Sequence, residues 1–280
     1  TDSWKLRLGL LAAAVAIAVT TPGPGTQLRA DDGVEDAAAL ASGPTSLRRL
    51  NESQTKRAIA QIFGEDITVP GRFEPPVRED GLLAIGESHV IVTPSGFEQT
   101  AIRAREIAAQ VMSDGRRARY FSCEEADSAQ FDAGCARSFF SKYGRLIYRR
   151  PVSPREMTTV LGLAQRATTS TGSFHKGIET GLSAMLSSPA FIFRVETSEA
   201  VSGGAGLRLD AYSYATRISF LLWDAPPDEE LLDAAASGAL YTNAGLNTQI
   251  DRLMASPKLE QGVRAFFSDM LAYDQFEGLS

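Results

Sequence analysis

The sequence predicts an all-α protein, a multi-helix bundle of about nine helices with a long irregular loop and at most a short strand or hairpin. Three observations predict it. Apolar residues recur at three- and four-residue spacing along most of the chain. Asn, Ser and Asp capping signals stand at the head of one segment after another. Alternation at period two, the mark of a half-buried strand, is almost absent.

The first residues differ in kind. Lys5 and Arg7 precede an uncharged apolar run, residues 8–19, which Thr20-Thr21-Pro22-Gly23-Pro24-Gly25 breaks. A basic start, a short apolar stretch and a breaker are the parts of a secretory signal. The run rises only ~18 Å as a helix, short of the ~30 Å hydrocarbon core of a bilayer. No Ala-x-Ala cleavage site follows, so residues 1–25 are expected to be a signal peptide or an N-terminal anchor. Residues 30–44 (ADDGVEDAAALASGP) are acidic, small and free of aromatics, and 26–44 reads as a flexible linker.

Helices follow. Asn51 with Gln54 opens one that runs to Phe63 and stops at Gly64. Residues 65–81, with Pro70, Pro75 and Pro76, are an extended loop; His89-Val90-Ile91-Val92 is a candidate strand, hairpinned with 82–85. Ser95-Gly96-Phe97-Glu98 reads as a capping box, followed by a stripe of Phe97, Ala101, Ala104, Ala108 and Val111. Ala136, Phe139, Phe140, Tyr143 and Ile147 form the next stripe. Ser153-Pro154-Arg155-Glu156 is a second capping box with Pro at the first helical position, leading into Met157, Val160, Leu161 and Ala164. Ile178, Leu182 and Met185 mark another helix, and Ser188-Pro189 starts a short apolar segment to Val195. Asp210 caps a helix to Trp223, Asp228 one to Ala236; Leu246, Ile250, Leu253 and Met254 mark one more, and Ser256-Pro257 caps the last. Residues 198–206 (SEAVSGGAG) read as a flexible break. The expected domains are therefore an N-terminal helical domain over 45–115, a central one over 116–200 and a C-terminal one over 207–280. Thr1 in place of Met, and an amphipathic segment (Leu259, Val263, Phe266, Phe267, Met270) close to the last residue, suggest a fragment of a longer protein.

The net charge of −6 argues against a nucleic-acid surface, which carries a positive field. Short basic clusters, Arg116-Arg117-Ala118-Arg119 and Arg149-Arg150, read as solvated faces and loop edges. Outside residues 1–25 there is no apolar run of about 18 residues to span a bilayer. Cys123 and Cys135 lie twelve positions apart. In an oxidising compartment such a pair reads as a disulfide, stabilising by ~3 kcal/mol on the loop-entropy account, with two free thiols as the alternative. Two thiols and the distant His89 and His175 do not make a metal site, and none is expected.

Motifs of known chemistry are missing. The sequence has no Cys-x-x-Cys-His, no Gly-rich phosphate loop, no His-Glu-x-x-His and no EF-hand loop. Glu124, Glu125, Asp127 and Asp132 read as a solvated connector. Gly181-Leu182-Ser183-Ala184 lacks the second Gly of a nucleophile elbow. The most informative residue is Arg217, on a segment apolar almost all round, where it is expected to be buried and paired with Asp224, Glu196 or Asp251. A core ion pair that fixes helix packing is one reading and anion binding the other. Trp223, beside Asp224 and the rigid Pro226-Pro227 turn, either closes the core or lines a pocket. Arg149-Arg150-Pro151 reads as helix-terminus ion pairing.

Three stretches taken together resemble a known family. They are Leu47-Arg48-Arg49-Leu50-Asn51 with the helix to Phe63-Gly64; then Cys135 to Phe140, Tyr143-Gly144-Arg145, Tyr148 to Val152, Leu186 to Phe191 and Arg194-Val195-Glu196; and lastly Leu209 to Tyr212, Arg217 to Trp223, Pro227 to Leu231 and Asp251 to Met254. Over residues ~45–280 they resemble the planctomycete-cytochrome-associated family of exported proteins, built from consecutive domains of unknown function. Residues 51–55 depart from its usual pattern. The resemblance implies a periplasmic or cell-surface protein, with haem c carried, if at all, in parts of the full-length protein outside this sequence; within it no cofactor is expected. Two functions follow: a helical component of a haem-associated oxidoreductase-like protein, or a non-catalytic envelope module that binds a polymer or a partner protein. A hydrolase is a third class. Membrane contact is expected only through an uncleaved N-terminal segment.

Overall fold

The computed structural model describes residues 46–88, 92–121, 123, 129–201 and 206–273. The expectations for residues 1–44, His89 to Ile91 and the acidic residues 124–127 lie outside these. Among the described residues, nine helices run eight residues or longer: α1 (Glu52–Phe63), α3 (Pro94–Val111), α4 (Ala133–Tyr148), α5 (Pro154–Thr171), α6 (Phe174–Leu186), α8 (Ala211–Trp223), α9 (Glu229–Ala236), α10 (Asn243–Ala255) and α11 (Leu259–Met270). Two single-turn helices, α2 (Leu83–Gly86) and α7 (Pro189–Ile192), complete the set. The mostly helical class predicted from the sequence is the class observed.

Caps decide where these helices begin. Asn51 accepts from the Gln54 N–H while the Gln54 side chain accepts from the Asn51 N–H, and Ser153 and Glu156 do the same for α5. Asp210 and Asp228 cap α8 and α9. The head of α3 is a correction: Thr93, not Ser95, is the cap, accepting from Gly96 N–H with Pro94 at the first position. That register turns Phe97 out to solvent, while Ala104, Ile107, Ala108 and Val111 carry the buried face. Residues 82–85 are another. Asp80 and Gly81, both at positive φ, close a tight Glu79–Leu82 turn that leads straight into α2 in place of a strand.

Two antiparallel pairs supply the strand content. β1 (Leu47–Arg49) pairs with β2 (Phe193–Val195) in the register Leu47↔Val195, Arg48↔Arg194, Arg49↔Phe193. β3 (Ser198–Ala200) pairs with β4 (Leu207–Leu209), so the first residues of the expected flexible break form a strand. Strands of three residues are too short to show alternation, and the β1–β2 pair joins distant parts of the chain, which local patterns do not register.

One apolar core runs from Ala58 to Phe191 through α1, α3, α4, α5 and α6, across the expected 115/116 boundary; a second, from Ala215 to Leu253, belongs to α8, α9 and α10. A disulfide joins Cys123 to Cys135 at a Cα–Cα distance of 5.7 Å and pins the loop before α4 to the first core. Helix α6 packs closely on both sides because it presents glycine. A Cβ at Gly181 would strike the Phe140 ring, and one at Gly177 would strike Thr168 and lie 2.6 Å from the Ala164 carbonyl. Helix α1 ties the cores together: Gln54 Nε2 donates to Asp224 (2.6 Å), Gln61 Nε2 donates to the Pro226 carbonyl (2.9 Å), and Lys258 Nζ donates to Gln61 (2.8 Å).

Two stability predictions arise here. Gly177→Ala should lower the urea midpoint by an amount equivalent to ~1–3 kcal/mol through overpacking. Gly162→Ala, whose Cβ would meet only the flexible end of Arg166 at 3.4 Å, should raise it by about 0.5–1 kcal/mol through helix propensity. Equal signs would contradict the packing. The Arg150 fork, helped by the cap, holds Glu156 down at about 2 against the pull of burial. A depressed carboxylate contributes stability that is present above its unfolded value near 4.5 and lost as pH falls toward 2. In acid titrations followed by circular dichroism, Glu156→Ala should therefore lower stability at pH 6 by about 1 kcal/mol and leave a shallower decline below pH 4.5.

Candidate functional site

The site begins with Arg149. It ends α4 in the left-handed conformation (φ 58°), which aims its side chain back into the protein. The guanidinium is buried and meets no carboxylate; it donates to the carbonyls of Ala190 (2.6 Å), Phe193 (2.6 Å), Ile147 (3.2 Å) and Phe191 (3.4 Å). Burial, with Arg194 and Arg150 nearby, brings it down to about 9, so it remains charged at neutral pH. This cage holds the turn from α7 into β2. β2 in turn sets Arg194 directly across from Arg48, and the ladder continues from Leu50 N–H to the Ile192 carbonyl (2.8 Å).

Like charges placed directly opposite on a β-pair repel. Here only the attraction of Asp224, Glu196 and Glu87, none of them an ion-pair partner, opposes it at Arg194. The Nε atoms of Arg48 and Arg194 are both buried without a hydrogen-bond partner, and neither guanidinium forms an ion pair among the described residues. Arg194 lies over the Phe220 ring at 4.7 Å, and burial followed by the Arg48 charge brings it down to about 10. Both line a cleft of about 1300 Å³ whose walls come from the β1–β2 ribbon, α1, the loop at 72–76, α8 and α11. The wall carries nine basic side chains against six acidic ones.

Four nearby carboxylates pair with other arginines, although Glu87 Oε1 is buried without a hydrogen-bond partner. Arg49 serves Glu74 (2.5 Å) and Glu87 (3.2 Å), Arg57 serves Asp224, and Arg217 makes a fork with Glu196 (3.0 and 2.5 Å). Burial raises Glu87 and Asp224 above the usual carboxylate range, Arg49 and the Gln54–Arg57 contacts notwithstanding. Arg48 and Arg194 thus form a facing pair of guanidinium groups, neither in an ion pair among the described residues, that lines the cleft. Guanidinium forks fit carboxylate, sulfate and phosphate, and at neutral pH they bind rather than move protons. No group of three or more His, Cys, Asp or Glu suited to a metal occurs among the described residues.

The residues singled out in the sequence fall in several places. Arg217 is a correction: its side chain is 41% exposed and its ion pair with Glu196 lies at the cleft rim, because position 217 faces away from the buried stripe of Ala215, Ile218 and Ser219. Asp224 is buried and lines the cleft. Trp223 closes the second core, its Nε1 donating to the Leu253 carbonyl at 2.9 Å, and does not line the cleft. Cys123 and Cys135 lie in the disulfide, and His175 packs against Phe121 and Phe174. Arg149, read as a loop-edge residue, is the best-buried arginine. Arg48 and Arg194 carried no local signal, since their meaning comes only from the ribbon that opposes them.

The class of protein is thus a mostly helical chain with two apolar cores and a cationic cleft at their junction. Residues 135–196 match the family model described as a protein of unknown function (DUF1595), and 209–280 match another described as a protein of unknown function (DUF1592). The chain carries two such domains of the planctomycete-cytochrome-associated type. No curated protein and no solved structure matches it. Arg194 and Glu196 come from the first domain, Arg217, Phe220 and Asp224 from the second, and Arg48, Arg49 and Arg57 from the segment before both.

If the carbonyl cage sets the ribbon, Arg149→Met should leave Ala190, Phe191 and Phe193 carbonyls without donors and destabilise by roughly 3 kcal/mol. Arg149→Lys should recover only part of this, because a single ammonium cannot reach four carbonyls. Thermal melts in which the lysine variant matched the native protein would contradict the cage.

Proposed function

We propose that residues 46–273 form a non-catalytic binding module of an exported protein, and that the cleft takes up an anionic ligand. The observation that carries this reading is the Arg48–Arg194 pair, two charges opposed on one ribbon and without an ion pair among the described residues, at the wall of the cleft. Such an arrangement costs stability in the empty protein and is relieved when an anion sits between the charges. Export is supported by the disulfide and by the family resemblance; no helix among the described residues is long and apolar enough to cross a membrane. The cytochrome association belongs to the same proposal: with no haem-attachment motif in the sequence, a haem would be brought by another segment or partner, and this module would hold the ligand beside it.

Sulfate tests the reading, since its charge does not change between pH 5 and 8. Calorimetry at low ionic strength should show binding to the native protein that Arg48→Met or Arg194→Met each weaken roughly 10–100-fold, as expected for loss of a charge-assisted fork. The same variants should be more stable than the native protein without ligand, by about 1 kcal/mol, through relief of like-charge repulsion. Binding should tighten as pH is lowered, because burial makes Glu87 take up a proton earlier than an ordinary carboxylate and the cleft then gains positive charge. Unchanged sulfate affinity in the double variant would refute the proposal.

A further inference from the structure

A site for a simple anion needs only the arginine pair of this cleft. Exposed apolar side chains from α8 and α11 line the same cleft. Leu221 on α8 is 67% exposed, and Phe266 and Met270 on α11 are 57% and 49% exposed, yet all three line the same cavity as Arg48 and Arg194. Single exposed apolar residues are ordinary on protein surfaces; several converging on one concave wall are not. The wall is also rigid. Helix α11 meets α8 at Gly262, where a Cβ would collide with the Leu222 carbonyl, so Leu221 and Phe266 are presented by two helices locked in backbone contact.

Charge and apolar surface therefore share one cleft. Of the basic side chains lining it, Arg57 and Arg217 are neutralised by Asp224 and Glu196 and Arg103 is held by the Pro70 and Arg72 carbonyls, whereas Arg48 and Arg194 face each other across the ribbon and serve as the anchoring charges. Resting on the anion-binding reading above, we infer that the ligand is a soluble amphiphilic anion: a single carboxylate or sulfate head seated at Arg48 and Arg194, with an unbranched apolar body lying along Leu221, Phe266 and Met270. The Nε atoms of the two arginines are recessed from solvent, so the head enters first and the body follows it. A headgroup held in a bilayer would have to leave its own tail behind to reach them, which favours a free amphiphile over a membrane surface.

The test is a series of linear carboxylates, acetate, hexanoate and decanoate, each titrated into the full chain below its micelle-forming concentration. Affinity should rise steeply with chain length, approaching about fourfold per buried methylene. Leu221→Ser and Phe266→Ser, both at exposed positions, should flatten that slope while leaving sulfate affinity unchanged, whereas Arg194→Met should weaken every member. Equal affinity for acetate and decanoate would overturn the inference and leave the anion site standing. Decanol or decyltrimethylammonium binding as tightly as decanoate would overturn it as well, by removing the role of the head. Binding to phosphatidylglycerol vesicles without binding to decanoate would assign the wall to a membrane, and a dimer in sedimentation that Leu221→Ser dissolves would assign it to a second copy; either result refutes the proposal. Failure of sulfate and all carboxylates to bind would remove both readings together.

Discussion

The structure depends most on a buried arginine that has carbonyls in place of a carboxylate. Arg149 sits where α4 ends, and the carbonyls it binds belong to the last turn of α4, to α7 and to β2. The partial negative charge at a helix C-terminus and the fixed direction of carbonyl dipoles suit a cation there. A lone buried charge is otherwise very costly, so the chain can tolerate Arg149 only with the turn held in this one shape. That shape places β2, β2 recruits β1, and β1 delivers the chain to Asn51 at the head of α1. The N-terminal approach to the bundle therefore hangs on one guanidinium.

The same chain of dependence brings Arg194 and Arg48 face to face. In a protein optimised for stability alone, one of the two positions would be apolar or acidic. Instead Glu74, Asp224 and Glu196 are paired with other arginines, Glu87 keeps one buried oxygen without a hydrogen-bond partner, and the attraction of Asp224, Glu196 and Glu87 reaches Arg194 without forming an ion pair. A local rule broken without an ion pair to compensate it inside the fold points to compensation from outside it. That is why the arginine pair, more than the size of the cavity, identifies the site.

Much of the fold was legible in the sequence because capping and helical periodicity are local. Asn51–Gln54, Ser153–Glu156, Asp210 and Asp228 act where they were expected, and the stripe from Ala136 to Ile147 is buried throughout. Where two local signals competed, the choice went astray: Thr93-Pro94 outranked Ser95 because Pro fits the first helical position, and the shift exposed Phe97. Arg217 misled for a related reason. Apolar neighbours on all sides suggested burial, but exposed Leu221 shows that part of this apolar character faces the cleft and not the core. The cleft itself was not legible. Its two decisive residues meet through a ribbon that joins Leu47–Arg49 to Phe193–Val195, and no periodicity spans that distance.

The origin of the cleft walls also bears on what the two domains are for. The first contributes Arg194, the second Phe220, Leu221 and Phe266, and the segment before both contributes Arg48. Neither domain by itself contains the arginine pair or unites it with the apolar wall. Helix α1 is the piece that makes the union, with one face in the first core through Ala58, Ile59 and Ile62, and the other hydrogen-bonded to Asp224 and Pro226 at the edge of the second. Pockets form readily where domains meet, because each side stays rigid while the space between them is shaped by both. Consecutive domains in this order, with the segment before them, are thus a structural requirement of the cleft: the second core lies wholly within residues 209–280, whereas the first is shared between residues 135–196 and the preceding helices α1 and α3.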